Sequence, residues 1–342
     1  MAKKVTIDAI ARECNVSLAT VSLVLNNKPG VSNETRARVL EAARRLGYVP
    51  GPDLAGNRGR PQVTLGMLVK TEPGLATPAN PFYSQIVAGV DQACQDMGIS
   101  LLFSLLPVDE KNVPVKVPPL IENTMVMGLL MVGAFVDETI LALLGKHPPP
   151  IILVDGYSDT ERHDMVVSDN FRAAYQAVEH LLGLRHRRIG LVGSEPECYP
   201  SLLERRHGYL RALKENGGLP PCIADFNVNQ SQGEEETVRL LTDHPDLTAL
   251  FCVNDHAAMG ALRAAARLGR NVPGDLSVIG YDDTSLAANA TPPLTTMHVD
   301  TIAMGRAAVH LMALRMEQPD AARATVVIHP TLVERGSTGK AL

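Results

Sequence analysis

The chain has 342 residues, 45% hydrophobic and 20% charged, which is typical of globular proteins and enough for two or three folding units. It contains no run of about 18 consecutive apolar residues, which argues against a membrane span. The N-terminal stretch MAKKVTIDAIARE carries charges where a signal peptide needs an apolar segment. We therefore expect a cytoplasmic protein.

Charged residues are distributed unevenly. Residues 1–60 hold ten Lys and Arg against five Asp and Glu, a net charge of +5, whereas the rest of the chain holds 22 against 32, a net charge of −10. A basic head on an acidic body suits a head that meets phosphate groups. The five cysteines lack C-x-x-C spacing and the ten histidines form no metal-binding motif, so the sequence predicts reduced thiols, no metal and no cofactor.

The first fifty residues have the pattern of three short helices. Each predicted helix follows a residue whose side chain can accept a hydrogen bond from a free backbone N–H group. Asn15 tolerates the left-handed backbone of a tight turn between the first two helices, an arrangement typical of a helix-turn-helix unit. The predicted caps and helices are Thr6 before Ile7–Glu13, Ser17 before Leu18–Leu25, and Ser32 or Asn33 before Glu34–Leu46.

Beyond a segment rich in proline and glycine at 50–61, short apolar strands alternate with amphipathic helices. This alternation predicts parallel sheets covered by helices, and about eleven strands fit two sheets better than one. Ligands of such folds bind beyond the carboxyl ends of the strands. The predicted strands are Val63–Val69, Ile99–Leu105, Val126–Val132, Ile151–Val154, Arg188–Val192, Cys222–Phe226, Ala249–Val253 and Ser277–Tyr281. The predicted helices include Phe82–Met97, Phe171–Leu182, Leu203–Asn216, Glu234–Thr242, His256–Leu268 and Thr301–Met316.

Residues 5–50, VTIDAIARECNVSLATVSLVLNNKPGVSNETRARVLEAARRLGYVP, strongly resemble the headpiece of the LacI/GalR family of bacterial transcription regulators. Body motifs extend the resemblance over nearly the full chain, among them NPFY at 80–83, VSDN at 167–170, ERRHGY at 204–209 and GYDD at 280–283. The resemblance implies an all-α helix-turn-helix headpiece and an α/β two-lobed effector domain of the type I periplasmic-binding-protein kind.

The same resemblance implies a division of labour along the chain. It predicts a DNA-binding domain at 1–49, a hinge linker at 50–61, and an effector-binding and dimerisation domain at 62–342 whose crossovers lie near 157–167 and 282–296. The expected protein is a homodimeric repressor of transcription. A small metabolite bound between its lobes would control its affinity for double-stranded operator DNA.

By the resemblance, the second helix enters the major groove of DNA. Leu23 replaces the arginine common in the family and cannot read guanine, so we expect an unusual operator. In the hinge, Asn57 is a poor minor-groove wedge and Gly56 weakens a helix, although Leu54 could substitute as the wedge. The predicted DNA-binding residues are Thr6, Ser17, Leu18, Ala19, Thr20, Ser22, Leu23, Asn26, Leu54 and Asn57.

The resemblance also implies an effector site of polar groups and aromatic rings. Each member has a plainer interpretation: Arg205 with Asp282 as a structural ion pair, Phe226 as core, and Asn254 or Asp169 as helix caps. The ERRHGY motif is expected to place Arg205 at a helix start. The predicted effector-binding residues are Phe82, Tyr83, Asp169, Arg205, Phe226, Asn254 and Asp282.

A carbohydrate is the favoured effector, since the family favours sugars; a nucleobase or nucleoside, a phosphorylated metabolite or a partner protein stay as alternatives. Segments 71–79 and 109–122 depart from the family pattern and could reshape the pocket. A transport-type solute-binding protein would need a signal peptide and no basic head. The sequence also lacks a P-loop and a G-x-S-x-G motif, which argues against an enzyme.

Overall fold

A computed structural model describes residues 6–25, 30–46, 48, 63–71, 81–109, 113–123, 125–145, 148–160, 162–226 and 233–341. The chain forms two compact units, Met1–Val167 with Thr301–Val326 and Ser168–Asp300 with Val327–Leu342. The first crossing adjoins the predicted segment 157–167, the second follows 282–296, and the third has no predicted counterpart. The predicted boundaries of the hinge lie outside the described residues.

The elements before the first crossing alternate as the sequence predicts, after three helices at the start of the chain. They are α1 (Ile7–Cys14), α2 (Leu18–Leu25), α3 (Asn33–Arg45), β1 (Thr64–Thr71), α4 (Pro81–Asp96), β2 (Ser100–Pro107), a 3₁₀ turn (Pro119–Glu122), β3 (Gly128–Val132), β4 (Phe135–Val136), α5 (Glu138–Leu143), β5 (Ile151–Val154), β6 (Tyr157–Ser158) and β7 (Asp164–Ser168).

The remaining elements continue the alternation. They are α6 (Asn170–Gly183), β8 (Ile189–Val192), α7 (Pro200–Glu215), β9 (Cys222–Ala224), α8 (Gly233–Asp243), β10 (Ala249–Cys252), α9 (Asp255–Arg267), β11 (Ser277–Asp282), α10 (Ser285–Asn289), β12 (Thr295–His298), α11 (Thr301–Glu317), β13 (Thr325–Ile328) and β14 (Thr331–Val333).

The head forms its own small core, in which Ile10, Val21 and Val39 are fully buried. Asn15 adopts the predicted left-handed backbone, with a φ of 52°, and so turns α1 into α2. Ser32 caps α3 by accepting a hydrogen bond from Thr35 N at 3.2 Å. The predicted helix-turn-helix is confirmed, and α2 has the predicted bounds.

Two six-stranded sheets carry the body. Their strand orders are β13-β7-β5-β3-β1-β2 and β14-β12-β11-β10-β8-β9. The neighbours β1–β3, β3–β5, β8–β10 and β10–β11 pair in parallel. Central strands such as β3, β5, β8 and β10 are buried at every residue. Continuous apolar runs of this kind are expected where helices cover both faces of a parallel sheet.

Helices α4 and α11 of the first unit pack with their backbones in close approach. A Cβ atom at Gly89 would lie 2.2 Å from the carbonyl oxygen of Ile302, and one at Gly305 would lie 2.3 Å from that of Ile86. Only glycine fits at these two crossing points, because any side chain would push the helices apart.

A buried ion pair joins the end of α11 to β7. Arg315 Nε and Nη2 lie 2.7 and 2.9 Å from the two carboxylate oxygens of Asp164, and both side chains are almost fully buried. Arg315 also donates to the carbonyls of Pro319, Ala321 and Ala322. Burial alone would raise the pKa of Asp164, but hydrogen bonds from Arg315 and Ala324 N, with the charges of Arg315 and Arg323, hold it below its usual value.

The proline-rich segment that departs from the family pattern contains no α-helix in its described part. Val108 and Pro114 form an antiparallel bridge, and the segment ends in the 3₁₀ turn Pro119–Glu122. Of the other unusual segment, only Thr71, the last residue of β1, is described. Within the described residues, no helix is long and apolar enough to cross a membrane.

Candidate DNA-reading helix and effector site

Helix α2 presents the start of its first turn to solvent. Ser17 precedes it and accepts a hydrogen bond from Thr20 N at 3.0 Å, while the hydroxyls of Ser17 and Thr20 lie 2.9 Å apart. Leu18 is 52% exposed although it is apolar. An exposed apolar residue beside two hydroxyls, on a helix held by a buried core, is suited to contacts with methyl groups and base edges in a groove.

The other predicted DNA-binding residues that the structure describes lie in α2 and just before α1. Thr6 stands at the N-cap position of α1, as predicted, but its side chain makes no capping hydrogen bond. Ala19 is exposed, whereas Ser22 and Leu23 are half-buried. Leu23 therefore divides its surface between solvent and packing. The other three predicted DNA contacts, Asn26, Leu54 and Asn57, lie outside the described residues.

Arg205 is the centre of a buried polar cluster in the second unit. Its Nε donates to Asn170 Oδ1 at 2.9 Å and its Nη1 donates to the carbonyl of Val253 at 2.6 Å. Its guanidinium carbon lies 3.6 Å from the centre of the Tyr281 ring. Nη1 also lies 3.1 Å from Asp282 Oδ1, and the two side chains are 5% and 13% exposed. The predicted pairing of Arg205 with Asp282 is thus present.

Arg205 does not lie at a helix start, and that prediction is wrong. Helix α7 begins at Pro200, so Arg205 is its sixth residue. Proline is favoured in the first turn of a helix because it has no N–H to leave unpaired. The earlier start places Arg205 on the buried face of α7, together with Gly208 and Tyr209.

Asp282 ends β11 in a strained backbone conformation. Its φ is 98° and that of Asp283 is 54°, a region that residues with side chains rarely adopt. Burial raises the pKa of Asp282, and the charge of Arg205 opposes the rise. Asp283 is held by Arg335 Nη2 at 2.6 Å and His298 Nδ1 at 3.1 Å. At the end of β11, the carboxylate of Asp282 therefore faces Arg205, and that of Asp283 faces Arg335 and His298.

Asn254 and Asp255 begin α9 beside this strand end. Asn254 caps the helix by accepting a hydrogen bond from Ala257 N at 2.7 Å, as the plainer interpretation predicts. Asp255 accepts hydrogen bonds from Thr296 Oγ1 and Thr284 N, both at 2.7 Å. Burial, and next the charge of Asp282, raise the pKa of Asp255 to about 7, while the hydrogen bonds from Thr296 and Thr284 oppose the rise.

Asp169 and Phe226 take the plainer roles in this structure. Asp169 caps α6 by accepting a hydrogen bond from Arg172 N at 3.1 Å, and its Oδ2 lies 3.1 Å from His329 Nδ1. Phe226 is buried at the end of the described segment that follows β9, where its ring would meet a Cβ atom at Gly233.

Phe82 and Tyr83 lie in the first turn of α4, in the first unit. Their rings pack edge to face with centroids 5.6 Å apart. Phe82 is buried and Tyr83 is half-buried against Gly133, whose missing Cβ atom leaves room for the phenol. The pair forms an aromatic wall with one polar tip.

Two residues of the polar cluster are absent from the sequence-based prediction. Asn170 is buried and joins Arg205 to Ser168 O and Glu204. Tyr281 lies under the guanidinium of Arg205 and its hydroxyl lies 3.3 Å from Ser168 Oγ. Both residues lie within the family motifs VSDN at 167–170 and GYDD at 280–283, but neither was assigned to the effector site. Within the described residues, no group of three or more His, Cys, Asp or Glu is placed to hold a metal.

Comparison with known proteins identifies the family. The model of the lacI family of bacterial regulatory proteins matches residues 6–51, and that of a periplasmic binding protein-like domain matches residues 178–338. The HTH-type transcriptional repressor PurR of Aliivibrio salmonicida is 32% identical over 98% of this chain and 99% of its own. This chain belongs to the lacI family of bacterial regulatory proteins.

Further relatives of this lacI-family regulator align with nearly its whole length. The ribose operon repressor of Escherichia coli is 30% identical, with 97% of this chain and 99% of the relative covered. The solved complex of the transcriptional regulator CelR with cellobiose has a TM-score of 0.68 at 28% identity, covering 97% and 99%. The lac repressor dimer bound to operator and the anti-inducer ONPF has a TM-score of 0.66 at 27% identity, covering 98% and 100%.

The family resemblance drawn from the sequence is therefore confirmed, together with the fold class. The regulator has a lacI-type helix-turn-helix head and a two-lobed, periplasmic-binding-protein-like α/β body. It is an effector-controlled, DNA-binding repressor of transcription.

Proposed function

We propose that a carbohydrate bound at the Arg205 cluster of the second unit controls the affinity of this repressor for its operator. The observation that carries the proposal is the buried guanidinium of Arg205, which is held by Asn170 and Val253 O and pairs with Asp282. Fixed donors beside a carboxylate acceptor suit the paired hydroxyls of a sugar. Relatives named for the ribose operon and solved with cellobiose support the same ligand class.

Asp282 has spare capacity to bind. Its Oδ1 is buried and lies near Arg205, yet it accepts no hydrogen bond of good geometry from the described residues. A buried carboxylate oxygen that lacks hydrogen bonds is costly, and a sugar hydroxyl would relieve that cost. Asn254 and Asp169 are proposed as secondary contacts, because their side chains already cap helices. Phe82, Tyr83 and Phe226 stay predicted effector contacts.

The proposed reader of DNA is α2, which has Ser17, Leu18 and Ala19 exposed at its start. Leu23 would contact a thymine methyl or pack, so the operator is proposed to differ from sites read by an arginine there. The regulator is proposed to act as a homodimer on a pseudo-palindromic operator, as the solved lac repressor dimer bound to operator supports.

Three further parts of the proposal rest on family membership. The relatives are regulators of transcription, so we propose that this chain binds its effector without turning it over. A protein that acts on genomic DNA would work in the bacterial cytoplasm. The division into head at 1–49, hinge at 50–61 and body at 62–342 is proposed to separate DNA binding from effector binding.

The test is a thermal-shift screen followed by operator binding. Cellobiose, ribose, other sugars and nucleosides are screened against the wild type, Arg205→Met and the control Arg211→Met, which removes an exposed pair with Glu215 on the same helix. We expect a sugar to raise the melting temperature and change operator affinity in the wild type and control. Arg205→Met should lose both responses.

Asp282→Asn serves as a second variant if Arg205→Met folds poorly, because it keeps the shape of the side chain. Its response to the sugar should weaken by about tenfold or more, since a charged hydrogen-bond acceptor is lost. A full sugar response in both variants would contradict the assigned site. A response to nucleosides alone would contradict the ligand class and leave the site in place.

A further inference from the structure

A cavity lies at the amino ends of the parallel strands in the second unit's sheet. Arg205 and Asp282 stand at the carboxyl end of the parallel strands, whereas this cavity lies at their amino end, next to residues that precede β8, β10 and β11. Its volume is about 350 Å³ and its walls include Pro245 and Pro273. This is within the size range of small-molecule sites, which is about 300–1,000 Å³.

Arg270 contributes a guanidinium that is fixed and incompletely paired. Its Nη2 donates to the carbonyls of Leu247 at 2.6 Å and Asp275 at 2.8 Å. Its Nη1 is buried and has no hydrogen-bond partner in the part of the chain that the structure describes. The guanidinium of Arg270 is thus fixed at the cavity wall, and the natural counter-ion of its charge is an oxyanion.

Lys340 contributes a second cation on an anchored piece of backbone. On one side, Gly339 N donates to Ser277 Oγ at 3.0 Å, and on the other, Ala341 N donates to the carbonyl of Leu184 at 2.9 Å. The side chain of Lys340 is exposed and forms no ion pair with any described residue. The hydrogen-bonded backbone thus fixes the position of Lys340, while its exposed ammonium group can contact a ligand.

The remaining polar wall is neutral or already occupied. His186 is buried, with Nε2 2.9 Å from the Gly339 carbonyl and Nδ1 2.9 Å from Thr248 Oγ1. Burial lowers the pKa of His186, which keeps the ring neutral near pH 7. The carboxylate of Asp275 is engaged, since its Oδ2 accepts from both nitrogens of Asn271. Asp275 keeps its formal negative charge, so Arg270, Lys340 and Asp275 together give the cavity wall a formal charge of +1, two cations less one carboxylate.

We propose that this cavity is a binding site for a phosphate group, separate from the carbohydrate site at the other end of the strands. Arg270 and Lys340 supply the positive charge, as arginine and lysine do in many phosphate sites. The rings of Pro245 and Pro273 supply an apolar wall for the carbon part of a phosphorylated metabolite. The body carries a net charge of −10, so a local pair of free cations is needed to hold an anion there.

The experiment is isothermal titration of the full chain with inorganic phosphate and, in a second arm, with glucose 6-phosphate, both at ionic strength matched by sodium chloride. The variant is Lys340→Glu, which changes an exposed side chain and leaves the fold intact. Its matched control is Lys214→Glu, which reverses an exposed lysine near the end of α7 in the same unit.

We expect the wild type and the Lys214→Glu control to bind phosphate with similar affinity. Lys340→Glu should weaken binding by about tenfold or more, because an attraction becomes a repulsion. Glucose 6-phosphate binding that is tighter than phosphate binding and is weakened by Lys340→Glu identifies a phosphorylated metabolite as the source, because a sugar bound at Arg205 would not respond to Lys340. Equal binding of the two identifies the free ion. No binding by the wild type, or equal binding by Lys340→Glu, would overturn the proposal.

Discussion

Each unit of this regulator contains a buried arginine–aspartate pair, and the two pairs differ in how completely they are satisfied. In the first unit, Arg315 meets both oxygens of Asp164, and Ala324 N adds a third hydrogen bond to the carboxylate. In the second unit, Arg205 meets Asp282 through a single contact of 3.1 Å, and Asp282 has a φ of 98°. The pKa is lowered at Asp164 and raised at Asp282.

The difference separates a structural clasp from a site that can accept a ligand. The pair in the first unit has its hydrogen bonds filled and fixes the chain between α11 and β13. The backbone of Asp282 is strained and its carboxylate accepts few hydrogen bonds. A ligand can therefore donate hydrogen bonds to it without breaking existing ones. Burial alone does not distinguish the two, since both pairs are almost fully enclosed.

The largest expected loss of stability comes from breaking the pair of Arg315 with Asp164. Arg315→Met leaves Asp164 buried without its partner and several carbonyls without a donor. We expect the free energy of unfolding to fall by about 3–5 kcal/mol, measured by urea unfolding. The control Arg306→Met lies on the same helix in an exposed pair with Asp96, and should change stability by less than about 0.5 kcal/mol. Equal losses in the two variants would show that the Arg315–Asp164 pair does not stabilise the fold more than an exposed pair does.

A smaller loss in the free energy of unfolding is expected when the pair of Arg205 with Asp282 is broken. Arg205→Met should cost about 2 kcal/mol at pH 7, because Asp282 has little to lose in hydrogen bonds and can take up a proton. Without Arg205 the folded pKa of Asp282 rises further, so the stability of the variant is lost as pH rises through that pKa. The difference from wild type should therefore shrink at pH 5. A constant difference from pH 5 to pH 8 would show that Asp282 stays ionised.

The smallest of the three effects concerns the carboxyl group next to that pair. The pKa of Asp255 is about 7 when folded, so its protonated form stabilises the fold at low pH and the contribution is lost as pH rises toward 7. Asp255→Asn keeps the hydrogen bonds of the neutral form and removes this dependence. Between pH 6 and pH 8 the wild type should lose about 1–2 kcal/mol more than the variant. Parallel stability curves would contradict the raised pKa.

Much of the fold could be predicted because its signals are local. The caps Ser17 and Ser32 and the turn at Asn15 mark the head helices, and the predicted limits of α2 are those observed. Continuous apolar runs marked the buried strands, including β5 with its observed limits. Strands β4, β6, β7, β12, β13 and β14 were missed, because each has five residues or fewer and is polar or only partly buried.

The polar contacts could be predicted only in part. Arg205 and Asp282 were assigned to the site through the family motifs. Asn170 and Tyr281 also lie in such motifs, but no periodic signal shows that they contact Arg205. The same holds for Arg315 with Asp164, which lie 151 residues apart. Sequence patterns report which face of an element is buried, and they do not report which polar groups meet inside.

The absence of charge from α2 has a consequence for how this repressor holds DNA. Between Leu18 and Leu25 the helix has no acidic or basic residue, so it displaces no counterions from the phosphate backbone. The salt dependence of affinity must then come from other basic residues of the head. If α2 reads the operator as proposed, operator preference and ionic-strength dependence are carried by different residues, and one can change in evolution while the other stays fixed.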